Sequence, residues 1–172
     1  MSQQEHADNE VEVIESFAGG AITIEKEYDL EKQEELQFVN VLGVRIKRRN
    51  PEKDGLPGTN LTKENFSDIT LGNPEVELLQ MAMMRHAIGH HVLFLGPSGY
   101  GKSTMPMLMA FLLNITCDRV DCTKGMNVHK QFLWSVVRDN GSVTGRHGPL
   151  PRTKENGGIM IINELPKLTP EE

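Results

Sequence analysis

Val92-Leu93-Phe94-Leu95-Gly96-Pro97-Ser98-Gly99-Tyr100-Gly101-Lys102-Ser103-Thr104 reads as a buried strand, a glycine-rich turn and the start of a helix. From Gly96 to Ser103 the stretch follows the phosphate-binding pattern G-x-x-x-x-G-K-[ST] without a mismatch. Gly96, Gly99 and Gly101 let the backbone come close to a ligand, and the N–H groups of such a loop form an anion-binding nest. The helix that follows adds its unpaired N-terminal donors and the positive end of its dipole. In that cradle Lys102 reaches the β- and γ-phosphates as a point charge, and the Ser103 hydroxyl is a hard oxygen ligand for Mg²⁺. A glycine turn can merely join a strand to a helix. Here an apolar run precedes it and Met107, Leu108, Phe111 and Leu112 follow at helical spacing, which is the context the motif demands. Pro106 falls near the end of the first helical turn, where a slight kink is expected.

The second informative stretch is Gly158-Ile159-Met160-Ile161-Ile162-Asn163-Glu164-Leu165. Four apolar residues followed by polar ones suit a buried parallel strand whose C-terminal end feeds a site. In a nucleotide hydrolase an aspartate at that end serves the magnesium shell, and a glutamate beside it orients and deprotonates the attacking water. Glu164 fits the second role. Asn163 stands in the first place with an amide oxygen that accepts hydrogen bonds but carries no charge.

Around these two stretches the chain of 172 residues is long enough for one domain with a core plus an extension. An apolar fraction of 38% is low for a fully globular chain and points to a solvated tail. Residues 1–16 carry Glu5, Asp8, Glu10, Glu12 and Glu15 and are expected to be disordered. Ala21 to Ile24 is a short strand candidate, Glu25 to Glu35 an exposed helix candidate, and Phe38 to Ile46 a strand bent at Gly43. A loop follows over Asn50 to Asn60. Asn73-Pro74-Glu75 opens a helix, with Asn73 as cap and Val76, Leu79, Met83 and Ala87 on its apolar face. Leu78, Met84 and Ile88 broaden that face, and Gly89 ends the helix. A strand is expected over Ile115 to Asp121, then a helix capped by Asn127 with Val128, Phe132, Leu133 and Val136 on one side. Asn140-Gly141 marks a turn, Ser142 to Thr144 and Arg146 to Leu150 a small hairpin, and Pro149 to Asn156 a short helix closed by Gly157.

Charge and composition exclude several classes. A net charge of −6 gives no nucleic-acid footprint for the chain as a whole. The cluster Arg45, Lys47, Arg48 and Arg49 could hold a phosphate backbone, although a solvated face is the commoner meaning of such a run. His86, His90 and His91 lack a carboxylate or thiol partner for a metal. Cys117 and Cys122 are not spaced as C-x-x-C and read as free thiols of a reducing compartment. No apolar run approaches transmembrane length and the N-terminus is no signal peptide, so a cytoplasmic protein is expected.

From about Asn73 to the last residue the chain resembles the AAA+ ATPases of the MoxR and dynein-related (midasin-like) group. The resemblance is carried by the helix before the loop, Leu95 to Thr104, Val120-Asp121-Cys122-Thr123-Lys124-Gly125, Gly141 to Thr144, Gly148-Pro149-Leu150 and Gly157 to Pro170. Gly141 to Leu150 resembles the hairpin insert that marks the group. The resemblance implies a P-loop NTPase fold, three-layer α/β/α on a parallel sheet. That domain would occupy residues 61–172, after a partly disordered acidic extension and linker over residues 1–60. It also implies ATP and Mg²⁺ as ligands. Gly96, Pro97, Ser98, Gly99, Tyr100, Gly101, Lys102, Ser103 and Thr104 correspond to Walker A, with Ser103 on the metal. Asn163-Glu164 corresponds to Walker B, with Glu164 as the catalytic carboxylate and Asn163, in place of the usual aspartate, near the metal through water.

Relatives continue past this point with two more core strands, a sensor asparagine, an arginine finger and a helical lid. One of those strands lies between the Walker A and Walker B strands, so an incomplete AAA+ core with a gap or exposed sheet edge is expected. Relatives assemble as rings that remodel protein clients, which implies self-association or a completing AAA+ chain. Two other readings stay open: a subunit that binds nucleotide without turning it over, and a P-loop kinase.

Overall fold

The computed structural model describes residues 11–139 and 142–167. They fall into two compact units, one of residues up to Asn50 with Asp68–Leu93, the other of Pro51–Ser67 with the chain from Phe94 onward.

The first unit is an antiparallel sheet with strands in the order β1 (Val11–Phe17), β2 (Ile22–Asp29), β3 (Glu34–Val41) and β4 (Val44–Lys47). Residues 11–16 therefore belong to a strand, where composition alone pointed to disorder; residues 1–10 lie outside the described chain. The ladder to β2 supplies the backbone hydrogen bonds whatever the side chains are, and Glu12 faces Lys26 across it. The charged stretch Glu25 to Glu35 is likewise no helix but the end of β2, a turn and the start of β3. Asp29 makes that turn: its Oδ1 accepts the backbone N–H groups of Glu31 and Lys32 at 3.0 and 3.1 Å. Phe38 to Ile46 is a hairpin rather than a bent strand. Leu42 and Gly43, with φ of 49° and 85°, form its two-residue turn.

Alternate residues Ile22 and Ile24 pair with Val41 and Val39 and are buried, as the period of two requires. Helix α2 (Asn73–Ala87) packs on β3 and β4 and buries Val76, Leu79, Ala82 and Met83. Gln80 Nε2 donates to the carbonyls of Val41 and Leu42 at 3.0 and 3.2 Å. The N-cap is Gly72 rather than Asn73. Its N–H is taken by the Glu75 carboxylate at 3.0 Å. The buried stripe is narrower than expected: Leu78, Met84 and Ile88 are exposed, and Ala82 stands in for Ala87. Gly89, at φ 78°, ends the helix as foreseen.

The second unit opens with a helical turn, α1 (Pro51–Asp54). Helix α3 (Thr104–Leu113) is apolar on every side and buried from Met105 to Leu113 with the exception of half-buried Met107. Pro106 sits at the third helical position, where no intrahelical donor is lost, and the helix runs unbroken. Phe66 closes on Phe111 with ring centroids 5.3 Å apart. β5 (Cys117–Asp121) and β8 (Ile159–Asn163) form a parallel pair, the expected partial P-loop α/β arrangement. Val120, Cys122, Met126 and Phe132 form a buried cluster beside it. Both cysteines are free; Cys122 is buried, and burial followed by the Asp118 charge pushes the half-buried Cys117 thiol up to about 11.

Between β5 and β8 the chain makes one wide helical turn (His129–Leu133) and then a hairpin, β6 (Trp134–Asp139) and β7 (Ser142–His147). The helix expected after Asn127 is thus cut short, and Val136 lies in a strand. The run of Val136-Val137 after Trp134 favours the ladder over the helix. The hairpin pairs 134–139 with 142–147 rather than closing within 142–150. Helix α4 (Pro149–Asn156) ends at Gly157, at φ 58°, as expected.

In the first sheet the Glu25 carboxylate is buried and fully engaged. It accepts from Thr23 Oγ1 at 2.9 Å and Asn40 Nδ2 at 2.8 Å, and pairs with Arg45 Nε at 2.9 Å. Arg45 also pairs with Glu27 at 2.9 Å and lies 4.2 Å from the Phe38 ring centroid. Replacing Arg45 by Ala leaves a buried charge short of its partner and should cost about 2 kcal/mol. Urea unfolding followed by circular dichroism checks this; a midpoint equal to that of the parent would place the Glu25 charge in effective contact with water.

Candidate functional site

The expected phosphate loop leads into α3 as the motif requires. Ser103 is the residue before the helix, and the Met105 N–H donates to the Gly101 carbonyl at 2.9 Å. Gly96, Gly99 and Gly101 have φ of 152°, 85° and 69°, a region that favours glycine. The Lys102 ammonium donates to the carbonyl of Pro97, so it folds back over its own loop. Tyr100 is exposed at the loop tip.

The strand expected before the loop is not formed. Val92, Leu93 and Leu95 are exposed, the last two at 76% and 82%, and no residue of 92–95 lies in a ladder among the described residues. β5 and β8 pair with each other instead. An apolar run becomes a strand only where a neighbour takes its backbone groups, so composition without a ladder leaves it extended and bare.

The two motifs nevertheless meet. Ser103 Oγ donates to Asn163 Oδ1 at 3.0 Å, across 60 residues of sequence. Asn163 ends β8, opposite Asp121 at the end of β5. Its Nδ2 donates to Asp121 Oδ1 at 2.8 Å, and its carbonyl accepts the Cys122 N–H at 2.9 Å. Nothing local to the stretch Val120 to Gly125 marks Asp121 as a site residue. The signal that could have found it is its place as the last polar residue of the neighbouring parallel strand. Arg119, two residues earlier on the same face, forks onto it from Nε at 3.1 Å and Nη2 at 2.8 Å. The Arg119 hydrogen bonds, then that from Asn163, hold the Asp121 carboxyl below the usual carboxylate range.

Glu164 follows Asn163 in the left-handed region, at φ 57°, and its exposed carboxylate pairs with Lys167. The Lys167 N–H donates to the Glu164 carbonyl at 2.8 Å, closing the turn. The residues that could serve a metal are hard oxygens: the Ser103 hydroxyl and the Asn163 amide, with the Asp121 carboxylate one hydrogen bond behind. That donor set fits Mg²⁺, which takes one or two protein oxygens and fills its shell with water and phosphate. No group of three or more His, Cys, Asp and Glu could hold a metal by itself among the described residues.

Two residues of the basic cluster are engaged within the first unit. Arg45 is engaged by Glu25 and Glu27, and Arg48 Nη1 donates to Gln37 at 2.7 Å. Burial lowers the pKa of half-buried His86, with Arg49 adding to the effect.

Gly158 fixes where β8 starts. A Cβ there would lie 2.5 Å from the Thr116 carbonyl oxygen, which accepts the Ile159 N–H at 2.8 Å. Gly158→Ala should therefore displace the strand that carries Asn163 and Glu164, at a cost of about 2 kcal/mol. Urea unfolding of the variant measures it, and an unchanged midpoint would show that the two strands slide freely.

Comparison with known proteins returned no match to a curated protein and none to a solved structure. No helix among the described residues is long and apolar enough to cross a membrane. Residues 91–171, which hold both motifs and not the preceding helix, match the family model of the AAA domain, dynein-related subfamily, and the match supports an AAA+ ATPase domain over that segment.

Proposed function

We propose that this segment binds ATP with Mg²⁺ at the end of the β5–β8 pair and hydrolyses it. The observation that carries the reading is the Ser103–Asn163 hydrogen bond, which joins the two motifs at one point. In this reading the loop from Gly96 to Thr104 holds the phosphates, with its N–H groups and the start of α3 facing them. Lys102 leaves the Pro97 carbonyl for a phosphate oxygen. Ser103 and Asn163 present their oxygens to the metal side of the phosphates. Bound Mg²⁺ would neutralise charge building on the phosphate oxygens. Glu164 exchanges Lys167 for the attacking water and takes its proton. The water oxygen bonds to the γ-phosphorus, the bridging P–O bond breaks, and ADP and inorganic phosphate leave.

A ring assembly acting on protein clients is the further extension, with a second copy or a completing AAA+ chain as partner. The exposed side chains of Val92, Leu93 and Leu95 support it, because an unpaired strand candidate needs a neighbour. The free thiols suit a reducing compartment such as the cytoplasm.

A second reading has its own support. Asn163 is neutral and Glu164 is held by Lys167, features of a subunit that binds nucleotide without turning it over. One titration separates the two. Calorimetry with Mg-ATP should show binding that Lys102→Ala weakens at least about tenfold, a change of about 1.4 kcal/mol. Phosphate release in the same sample should fall about 100-fold in Glu164→Gln, the lower range for loss of a general base. Binding that needs Lys102 without phosphate release selects the second reading. Affinity indifferent to Lys102 removes both.

A further inference from the structure

We infer that Asp121 is the positioning residue of the metal side of this site: it turns the Asn163 amide so that its oxygen faces Ser103, and it supplies the negative charge that Asn163 lacks. The inference rests on the ATP reading above.

An asparagine amide has a donor end and an acceptor end of nearly equal shape, so something must choose between its two orientations. An ionised carboxylate only accepts, so Asp121 admits the NH₂ end and repels the oxygen. With Nδ2 fixed on Asp121 at 2.8 Å, Oδ1 is left for Ser103 at 3.0 Å. The arrangement is built into the fold, because Asp121 and Asn163 are direct partners in the parallel register. Arg119 forks onto the Asp121 carboxylate from Nε and Nη2, which holds in place the oxygen that Asn163 Nδ2 meets. The charge of the missing aspartate thus stands on the next strand, one hydrogen bond away. Groups that hold a ligand's own partner in this way commonly carry ten- to a hundredfold of metal affinity.

A structural purpose for Asp121 is the competing account. Its ion pair with Arg119 is about half exposed on both sides, at 49% and 55%. Pairs so open to water contribute little to stability, so the network is not explained as a fold anchor.

The test measures ATP affinity by calorimetry twice, with Mg²⁺ and with excess chelator, and takes the ratio as the metal gain. Mn²⁺ bound with ATP and followed by electron paramagnetic resonance gives a second readout free of turnover. Asp121→Asn should lower the metal gain about tenfold while chelator-phase affinity stays within about twofold. The exchanged pair Asp121→Asn with Asn163→Asp puts the carboxylate back on the other strand and should recover the gain. A metal gain unchanged in Asp121→Asn overturns the inference and leaves ATP binding standing. So does a parent chain that binds ATP through Lys102 with no metal gain at all. If Asp121→Asn also loses chelator-phase binding, the exchanged pair decides: recovery supports the inference, and no recovery overturns it. Affinity indifferent to Lys102 in the parent would instead remove the ATP reading itself, and this inference with it.

Discussion

The parallel register of β5 against β8 is the constraint on which the site depends. Because Asp121 lies opposite Asn163, two polar strand ends share one hydrogen bond, and the amide left over meets the Ser103 hydroxyl. A slip of one residue would turn every side chain of β8 to the other face and dissolve the contact. The register is pinned at both ends. Gly158 admits the Thr116 carbonyl at the start, and the Cys122 N–H takes the Asn163 carbonyl at the finish.

Two supports hold this pair in place. On one side α3 is apolar all round, so its position is set by burial, and the loop before it must end where the helix begins. On the other, the Asp118 carboxylate of β5 accepts the Thr153 hydroxyl at 2.8 Å and a fork from Arg152, which ties α4 to the strand. Thr153 is buried, so this hydrogen bond is shielded and the helix that leads into β8 is held by a polar clip as well as by packing.

The parts legible in the sequence were those whose chemistry is local. Glycines with left-handed backbone at 89 and 157 marked helix ends, and the phosphate loop with its helix followed from spacing alone. What the sequence could not show depended on partners distant in the chain. Glu25 to Glu35 has the composition of an exposed helix, yet its alternating charges pair across a ladder, as Lys26 with Glu35 at 3.0 Å. Val92 to Leu95 has the composition of a core strand, and no neighbour among the described residues completes it. Asp121 follows the same logic: its partner Asn163 lies opposite it on β8, and no pattern within β5 states that.

Glu164 carries a further consequence through its backbone. A glutamate in the left-handed region costs about 1 kcal/mol that a glycine would not. The tight turn after β8 demands this conformation, so the residue best suited to the turn is one with no carboxylate. Random substitution followed by selection for folding alone would drift toward glycine at position 164. A glutamate retained there is opposed by local stability, and its persistence among variants would report selection on chemistry rather than on folding.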